Sequence, residues 1–307
     1  MQNALVNING KIFSSREAQV SVFDRGFLYG DSLYEVTRSY DGSFFALDEH
    51  LARLEKSAAL CRMQIAASRT QMKKETDRTL EAFQKLHPDC EAYCRLIVTR
   101  GVGKIGFGLS SVLTPPQLII ILQPLELPSL AQYKKGMKLK VSRRLRNDRR
   151  ALDPAMKSGN YLNSLLAYLE AQEENYEDAL LCNSDGHITE GTTFNVFYIR
   201  NGIFATPPLD IGILEGITRD IVLKILQKET SLSEKCDSPK KGSMKPMRSF
   251  SPVRSKKYFP SPRSMGIRLD PKRTQVSLAH SHQNFKNFIK AVYERKNKIP
   301  TPPTTFV

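Results

Sequence analysis

The sequence holds no apolar run approaching the roughly 20 residues a membrane span needs, and residues 1–10 lack the basic-then-apolar layout of a signal peptide. A soluble, cytoplasmic protein with no membrane partner is expected. Its five cysteines, Cys61, Cys90, Cys94, Cys182 and Cys236, are odd in number, scattered and form no C-x-x-C pair, which argues against a disulfide framework and fits a reducing compartment. His87, Cys90 and Cys94 lie close together, but a structural zinc normally needs four ligands and no second cluster follows. The five histidines show no metal-ligand spacing, and G-x-S-x-G is absent. Gly101, Gly103, Gly106 and Gly108 come near a phosphate loop, yet Lys104 is misplaced for one and no helix clearly follows; they read as a loop after a strand.

What is present is a chain of 307 residues, 40% hydrophobic and 25% charged, long enough for one large or two medium cores. Its formal charge of +15 is unevenly spread. Residues 229–307 hold 17 Lys and Arg against 5 Asp and Glu, whereas residues 1–228 hold 29 against 26. The excess therefore belongs to a tail, which also carries nine of the 17 prolines in steps that break helices and central strands. The tail reads as poorly ordered until about Ser281, after which residues 285–293 form an amphipathic stretch.

Alternating apolar residues around Asn9-Gly10 predict a hairpin over residues 5–13, and Asp41-Gly42 centres a second over 33–46. Asp48 is placed as an N-cap, with Leu51, Leu54, Ala58 and Cys61 on one helical face. A helix over 69–86 and strands over 93–99 and 117–123 complete an N-terminal α/β domain, residues 1–123. After a linker at 124–128, a β-rich domain of residues 129–228 follows. It comprises a strand at 137–142, a helix at 160–176 striped by Leu162, Leu165, Leu166 and Leu169, strands at 179–182, 192–199 and 203–206, and a helix at 217–228.

Four features stand out as polar groups in apolar settings. Lys157 sits at a strand-to-helix junction beside an apolar wall, where an amine becomes a nucleophile for carbonyls, although a lysine at such a place is more often simply solvated. Glu190 enters an apolar strand, which is costly unless a cation pairs with it; alone, it is more often a rim residue. Arg53 lies on the buried side of its helix, where an arginine usually has a carboxylate or phosphate partner, a snorkelling side chain being the alternative. Gly216-Ile217-Thr218 opens a helix whose free N–H groups suit a phosphate, or is an ordinary helix start.

Together, in this order and with the segments D-R-G-F-L-Y-G-D-S-L-Y-E-V, H-L-A-R-L, K-S-G-N-Y-L-N and I-T-E-G-T-T-F-N-V-F, these features resemble the fold-type IV pyridoxal-phosphate enzymes. That family includes branched-chain and D-amino acid aminotransferases and 4-amino-4-deoxychorismate lyase, and the likeness runs from about Val6 to Lys228. It implies a two-domain α/β (α+β) fold, pyridoxal 5′-phosphate as cofactor, an amino acid and a 2-oxo acid as substrates, and a homodimer. Lys157 is then expected to form the internal Schiff base and move the Cα proton. Glu190 is expected to pair with the pyridine nitrogen, and Tyr161 to donate to the phenolic oxygen. Arg53 would hold the phosphate with the amides of Ile217 and Thr218.

The resemblance leaves the substrate open. Tyr93-Cys94-Arg95 is similar to the Tyr-x-Arg strand of branched-chain aminotransferases, Lys157-Ser158-x-Asn160 to the D-amino acid enzymes, and Tyr29 and Tyr34 would line the pocket. The tail departs from the family, whose next helix, Thr-Ser-Ser-like phosphate loop and Pro-Val strand are not visible after Lys228. Written in codons and read one base earlier, residues 244–270 admit, with suitable wobble bases, a segment holding both Thr-Ser-Ser and Pro-Val. A frameshifted tail is therefore expected, with a catalytically dead chain that binds nucleic acid through its basic tail as the competing reading.

Overall fold

The computed structural model describes residues 3–200, 203–229, 233–234 and 251–254. By chain contacts these fall into two compact units: residues 1–127 with 147–166 belong to the first, and residues 128–146 with 167–254 to the second. Segment 147–166, which carries Lys157 and Tyr161, thus returns to the first unit, a return that the boundary expected at 124–128 does not anticipate.

The first unit opens with β1 (Leu5–Ile8) and β2 (Lys11–Ser14), joined by Asn9 and Gly10 at φ 50 and 88, the paired positive values a type I′ turn demands. A short helix unread in the sequence, α1 (Arg25–Tyr29), leads into the long strand β3 (Ser32–Tyr40) and its partner β4 (Ser43–Phe44). Helix α2 (Leu47–Leu60) starts after Ala46, so Asp48 lies in its first turn rather than at the cap, where its charge still favours the helix dipole. Helix α3 (Arg69–Leu86) is opened by a capping box between Ser68 and Gln71. With β5 (Ala92–Thr99) and β6 (Gln117–Pro124), the strands form one six-stranded sheet in the order β2-β1-β6-β5-β3-β4.

One face of this sheet packs on α2 and α3. Leu33, Cys94, Leu96, Ile120 and Leu122 from the strands meet Leu51, Leu54, Met72 and Phe83 from the helices in a single core. Burying each large side chain is worth about 1.5–3 kcal/mol. Because side chains alternate along a strand, Tyr93, Arg95 and Ile97 take the opposite face of β5 from Cys94 and Leu96. The same alternation places Tyr34 opposite Leu33 and Glu35 on β3. Two faces of one strand thus serve two purposes, the core side holding the fold and the other bearing polar side chains.

In the second unit α4 (Leu130–Lys135) precedes β7 (Leu139–Leu145), which runs parallel to β8 (Asp178–Cys182); β8 in turn pairs antiparallel with β9 (Ile188–Gly191). Helix α5 (Leu162–Glu173) buries Ser164, Ala167 and Ala171, while Leu162, Leu165 and Leu169 are exposed. The predicted leucine stripe is therefore real but is not the face that packs. A second sheet contains β10 (Phe194–Arg200), β11 (Ile203–Ala205), β12 (Ser233–Glu234) and β13 (Ser251–Arg254) in the order β12-β11-β10-β13. Helix α6 (Ile217–Glu229) packs Val222 and Leu223 on Phe197. From the tail, β12 and β13 are described as strands; its remainder, including the helix expected at 285–293, lies outside the described residues. Among the described residues no helix is long and apolar enough to cross a membrane.

Candidate active site

Lys157 is held along the start of β3. The backbone N–H of Tyr34 donates to the Lys157 carbonyl at 3.0 Å, Gly159 donates to the Ser32 carbonyl at 2.8 Å, and the Lys157 N–H donates to Ser57 Oγ on α2 at 3.2 Å. Gly159 packs closely on β3: a Cβ there would stand 2.2 Å from Ser32 Oγ, so any larger residue would have to turn that hydroxyl away. These bonds fix a lysine that is only 6% exposed, with Nζ donating to the Tyr34 hydroxyl at 3.3 Å and lying 4.6 Å from the centre of that ring. The Tyr34 ring also faces the Arg95 guanidinium at 4.1 Å and the Tyr161 ring at 5.5 Å. Arg95 in turn hydrogen-bonds Tyr93, whose phenol is raised by burial against the lowering effect of Arg95. Lys157, Tyr161 and Arg95 thus meet around the Tyr34 ring, with Tyr93 bonded to Arg95.

Tyr29 stands apart. Its hydroxyl accepts the Gly106 N–H at 3.0 Å and its ring lies 5.2 Å from that of Phe107. It braces the glycine-containing loop, as does Arg25, which donates to the Gly106 carbonyl at 2.7 Å and to Asp31 at 3.0 Å.

Arg53 has found the carboxylate partner that its buried position required. Its Nε donates to Glu35 Oε1 at 2.8 Å and its terminal nitrogen to Glu35 Oε2 at 2.6 Å, a bidentate pair. His50 Nδ1 lies 2.8 Å from Glu35 Oε2 on the same helix face. Burial alone would push the Glu35 carboxyl up, but the charge and hydrogen bonds of Arg53, with those of His50, outweigh it and hold the group at about 2. Burial pushes the His50 imidazole down, against the raising hydrogen bond and charge of Glu35. Glu35 and His50 were not singled out in the sequence, although a lone acid on the core face of a β-branched strand was a usable signal.

In the second unit Glu190, 5% exposed, sits in the apolar strand β9 with the cation its burial called for. Arg146 donates from Nε to Oε1 at 3.0 Å and from a terminal nitrogen at 2.9 Å. The other oxygen accepts Asn195 Nδ2 at 3.1 Å and the Leu214 N–H at 3.1 Å. Gly191 must be glycine because the Phe194 ring would lie 2.2 Å from a Cβ. Ile217 and Thr218 open α6, so their amides have no acceptor within the helix. Arg219, one residue on and 3% exposed, donates to Thr206 Oγ1 at 3.2 Å and to the Pro207 carbonyl at 2.8 Å, and burial lowers its guanidinium. Arg146, Asn195 and Arg219 had not been recognised from the sequence.

A buried amine beside a phenol can attack a carbonyl or carry a proton. A buried, oriented carboxylate can hold a cationic ring, and open helix amides can hold an anion.

Comparison with known proteins agrees with this chemistry. The family model described as amino-transferase class IV matches residues 32–241. A putative branched-chain-amino-acid aminotransferase of Methanocaldococcus jannaschii is 40% identical over 225 residues, 73% of this chain and 75% of the relative. The D-alanine aminotransferase of Bacillus licheniformis is 34% identical over 223 residues, again 73% and 75%. The pyridoxal-phosphate form of the branched-chain aminotransferase from Thermobaculum terrenum superposes with a TM-score of 0.72 at 24% identity, covering 97% of both chains, which shows the fold. This chain belongs to the class IV aminotransferases, pyridoxal-phosphate-dependent enzymes of fold type IV.

Proposed function

We propose that the chain moves the amino group of a branched-chain L-amino acid to a 2-oxo acid, with Lys157 as the amine that holds the aldehyde of the cofactor and transfers the substrate Cα proton. The observation that carries this reading is the buried Lys157 Nζ, 3.3 Å from the Tyr34 hydroxyl on the polar face of the first sheet. The chemistry of the single residues suits pyridoxal 5′-phosphate. On this reading the buried Lys157 amine takes its aldehyde, the buried Glu190 carboxylate its ring nitrogen, and the Ile217 and Thr218 amides its phosphate, with Arg53, which also pairs with Glu35, assigned to the phosphate by the family resemblance. When bound, the cofactor supplies an electron sink for the electrons left at Cα.

Each protein group then has a limited task. Glu190, kept in place by Arg146 and Asn195, holds the ring nitrogen in its protonated form. Tyr161 donates to the phenolic oxygen. Tyr34, Tyr93 and Arg95 line the substrate pocket, the guanidinium of Arg95 suiting a carboxylate of the 2-oxo acid. Tyr29 reaches the pocket of a second copy of the chain in a homodimer. Ile105, Phe107, Leu109 and Leu113 on the loop that Tyr29 braces are 76%, 83%, 70% and 63% exposed, an apolar surface for such a partner to cover.

The test is borohydride reduction of the protein in the presence of pyridoxal 5′-phosphate, followed by peptide mass analysis. Label on Lys157 supports the assignment and label on another lysine removes it. Transfer from L-leucine or L-valine to 2-oxoglutarate should outpace transfer from D-alanine. The reverse order, or release of pyruvate and p-aminobenzoate from aminodeoxychorismate, would reassign the substrate.

A further inference from the structure

We propose that Asn195 is a positioning residue that ties the Glu190 carboxylate to the turn opening α6, so that the groups assigned to the ring nitrogen and to the phosphate of the cofactor answer as one body. This rests on the functional reading above and adds a coupling to it.

Asn195 is the second residue of β10 and is 7% exposed. Its Nδ2 donates twice, to Glu190 Oε2 at 3.1 Å and to the Leu214 carbonyl at 3.0 Å. The Leu214 N–H returns to Glu190 Oε2 at 3.1 Å, so carboxylate, amide side chain and backbone peptide close a ring of three hydrogen bonds. With two acceptors on one side, the side-chain orientation is determined: the nitrogen must face them. Asn195 Oδ1 is consequently aimed at Gly216, where it would stand 1.9 Å from a Cβ, so the turn closes on the asparagine only because residue 216 is glycine.

Leu214 lies three residues before Ile217, whose amide opens α6. Movement of the carboxylate therefore reaches the amides assigned to the phosphate by two routes, directly through the Leu214 N–H and through Asn195, which bonds both the carboxylate and the Leu214 carbonyl. Arg146 holds the other oxygen, Oε1, from β7's end, and Arg219 ties α6 to Thr206 and Pro207; neither hydrogen-bonds both Glu190 and Leu214 as Asn195 does. Buried hydrogen-bond networks of this kind transmit displacement because losing one member leaves the others unsatisfied.

The experiment compares two probes on the full-length protein freed of cofactor: pyridoxal 5′-phosphate and pyridoxal, which lacks the phosphate. Their dissociation constants are measured with Glu190 and with Glu190→Gln, first in the parent and then with Asn195→Ala. In the parent, the affinity gained from the phosphate should shrink about tenfold when Glu190 is changed, the size expected of directly coupled groups. With Asn195→Ala that dependence should weaken about threefold or more, the direct Leu214 bond carrying what remains. Asn195→Leu, similar in size but without a donor, gives the same reading if the alanine variant does not fold. Either variant should also shift the pH dependence of the visible absorbance of the bound cofactor, which loosened packing alone would leave in place.

Coupling that survives undiminished in both Asn195 variants, or none in the parent, overturns the proposal while leaving the functional reading intact. If Glu190→Gln changes neither affinity nor absorbance in the parent, the functional reading falls and the clamp with it.

Discussion

Replacing Arg53 with Met removes the guanidinium but keeps most of the stem that packs under the sheet. Glu35 is then left buried with His50 Nδ1 beside it. Its carboxyl lies at about 2 against an ordinary 4.5, and at roughly 1.4 kcal/mol per unit that gap is worth about 3 kcal/mol. Breaking a buried ion pair from one side independently costs about 3–5 kcal/mol. The sign follows from the direction of the shift. In the parent, a depressed carboxyl contributes stability that is fully present above 4.5 and is lost as the pH falls toward 2. In Arg53→Met burial dominates, the carboxyl rises, and the penalty is largest near neutrality and shrinks as acid protonates Glu35. Urea unfolding of the cofactor-free protein, followed by circular dichroism from neutral to mildly acidic pH, measures this. The double variant Glu35→Gln/Arg53→Met should recover at least half of the loss, since no buried charge remains at the pair. A loss below about 1 kcal/mol at neutral pH, or no recovery in the double variant, would refute the reasoning.

Glu190→Ala should leave pyridoxal 5′-phosphate attached to Lys157 but slow half-transamination of L-leucine by about 10²-fold or more, read by stopped-flow absorbance; unchanged turnover removes Glu190 from the mechanism. Gly216→Ala forces a methyl group to within 1.9 Å of Asn195 Oδ1, so unfolding stability should drop by about 1–3 kcal/mol and cofactor affinity with it. An unaltered dissociation constant would show that the turn relaxes freely. For the tail, the coding DNA read one base earlier over residues 244–270 should give an open frame containing Thr-Ser-Ser and Pro-Val. A one-base correction near codons 229 to 243 should then raise cofactor affinity. Stop codons in that frame before residue 270 would sink the frameshift reading.

Much of the fold was legible because local chemistry dictated it: Asn9-Gly10 set a hairpin, and Leu51, Leu54 and Ala58 marked the buried face of α2. Arg53 and Glu190 were legible as buried charges needing partners, yet Glu35 and Arg146 were not named, since which acid or base arrives is decided by strand pairing far along the chain. In α5 the leucines are regularly spaced, but periodicity says only that a stripe exists; the small residues Ala167 and Ala171 take the packed side. Helix α4 was missed despite its reciprocal cap between Ser129 and Gln132, a pattern the sequence does display.

Strand β3 carries the deepest constraint on how this protein can change. Tyr34 and Glu35 are neighbours on the chain that serve opposite faces, one beside Lys157 and the other beneath it with Arg53. A single residue inserted or deleted within β3 ahead of them would exchange the two, sending a phenol into the helix layer and a carboxylate toward the amine. Lineages can therefore lengthen or shorten this region only outside the strand or in steps of two, whereas point substitutions on the Tyr93–Arg95 face are free to retune what the pocket accepts. Length is frozen where chemistry is adjustable.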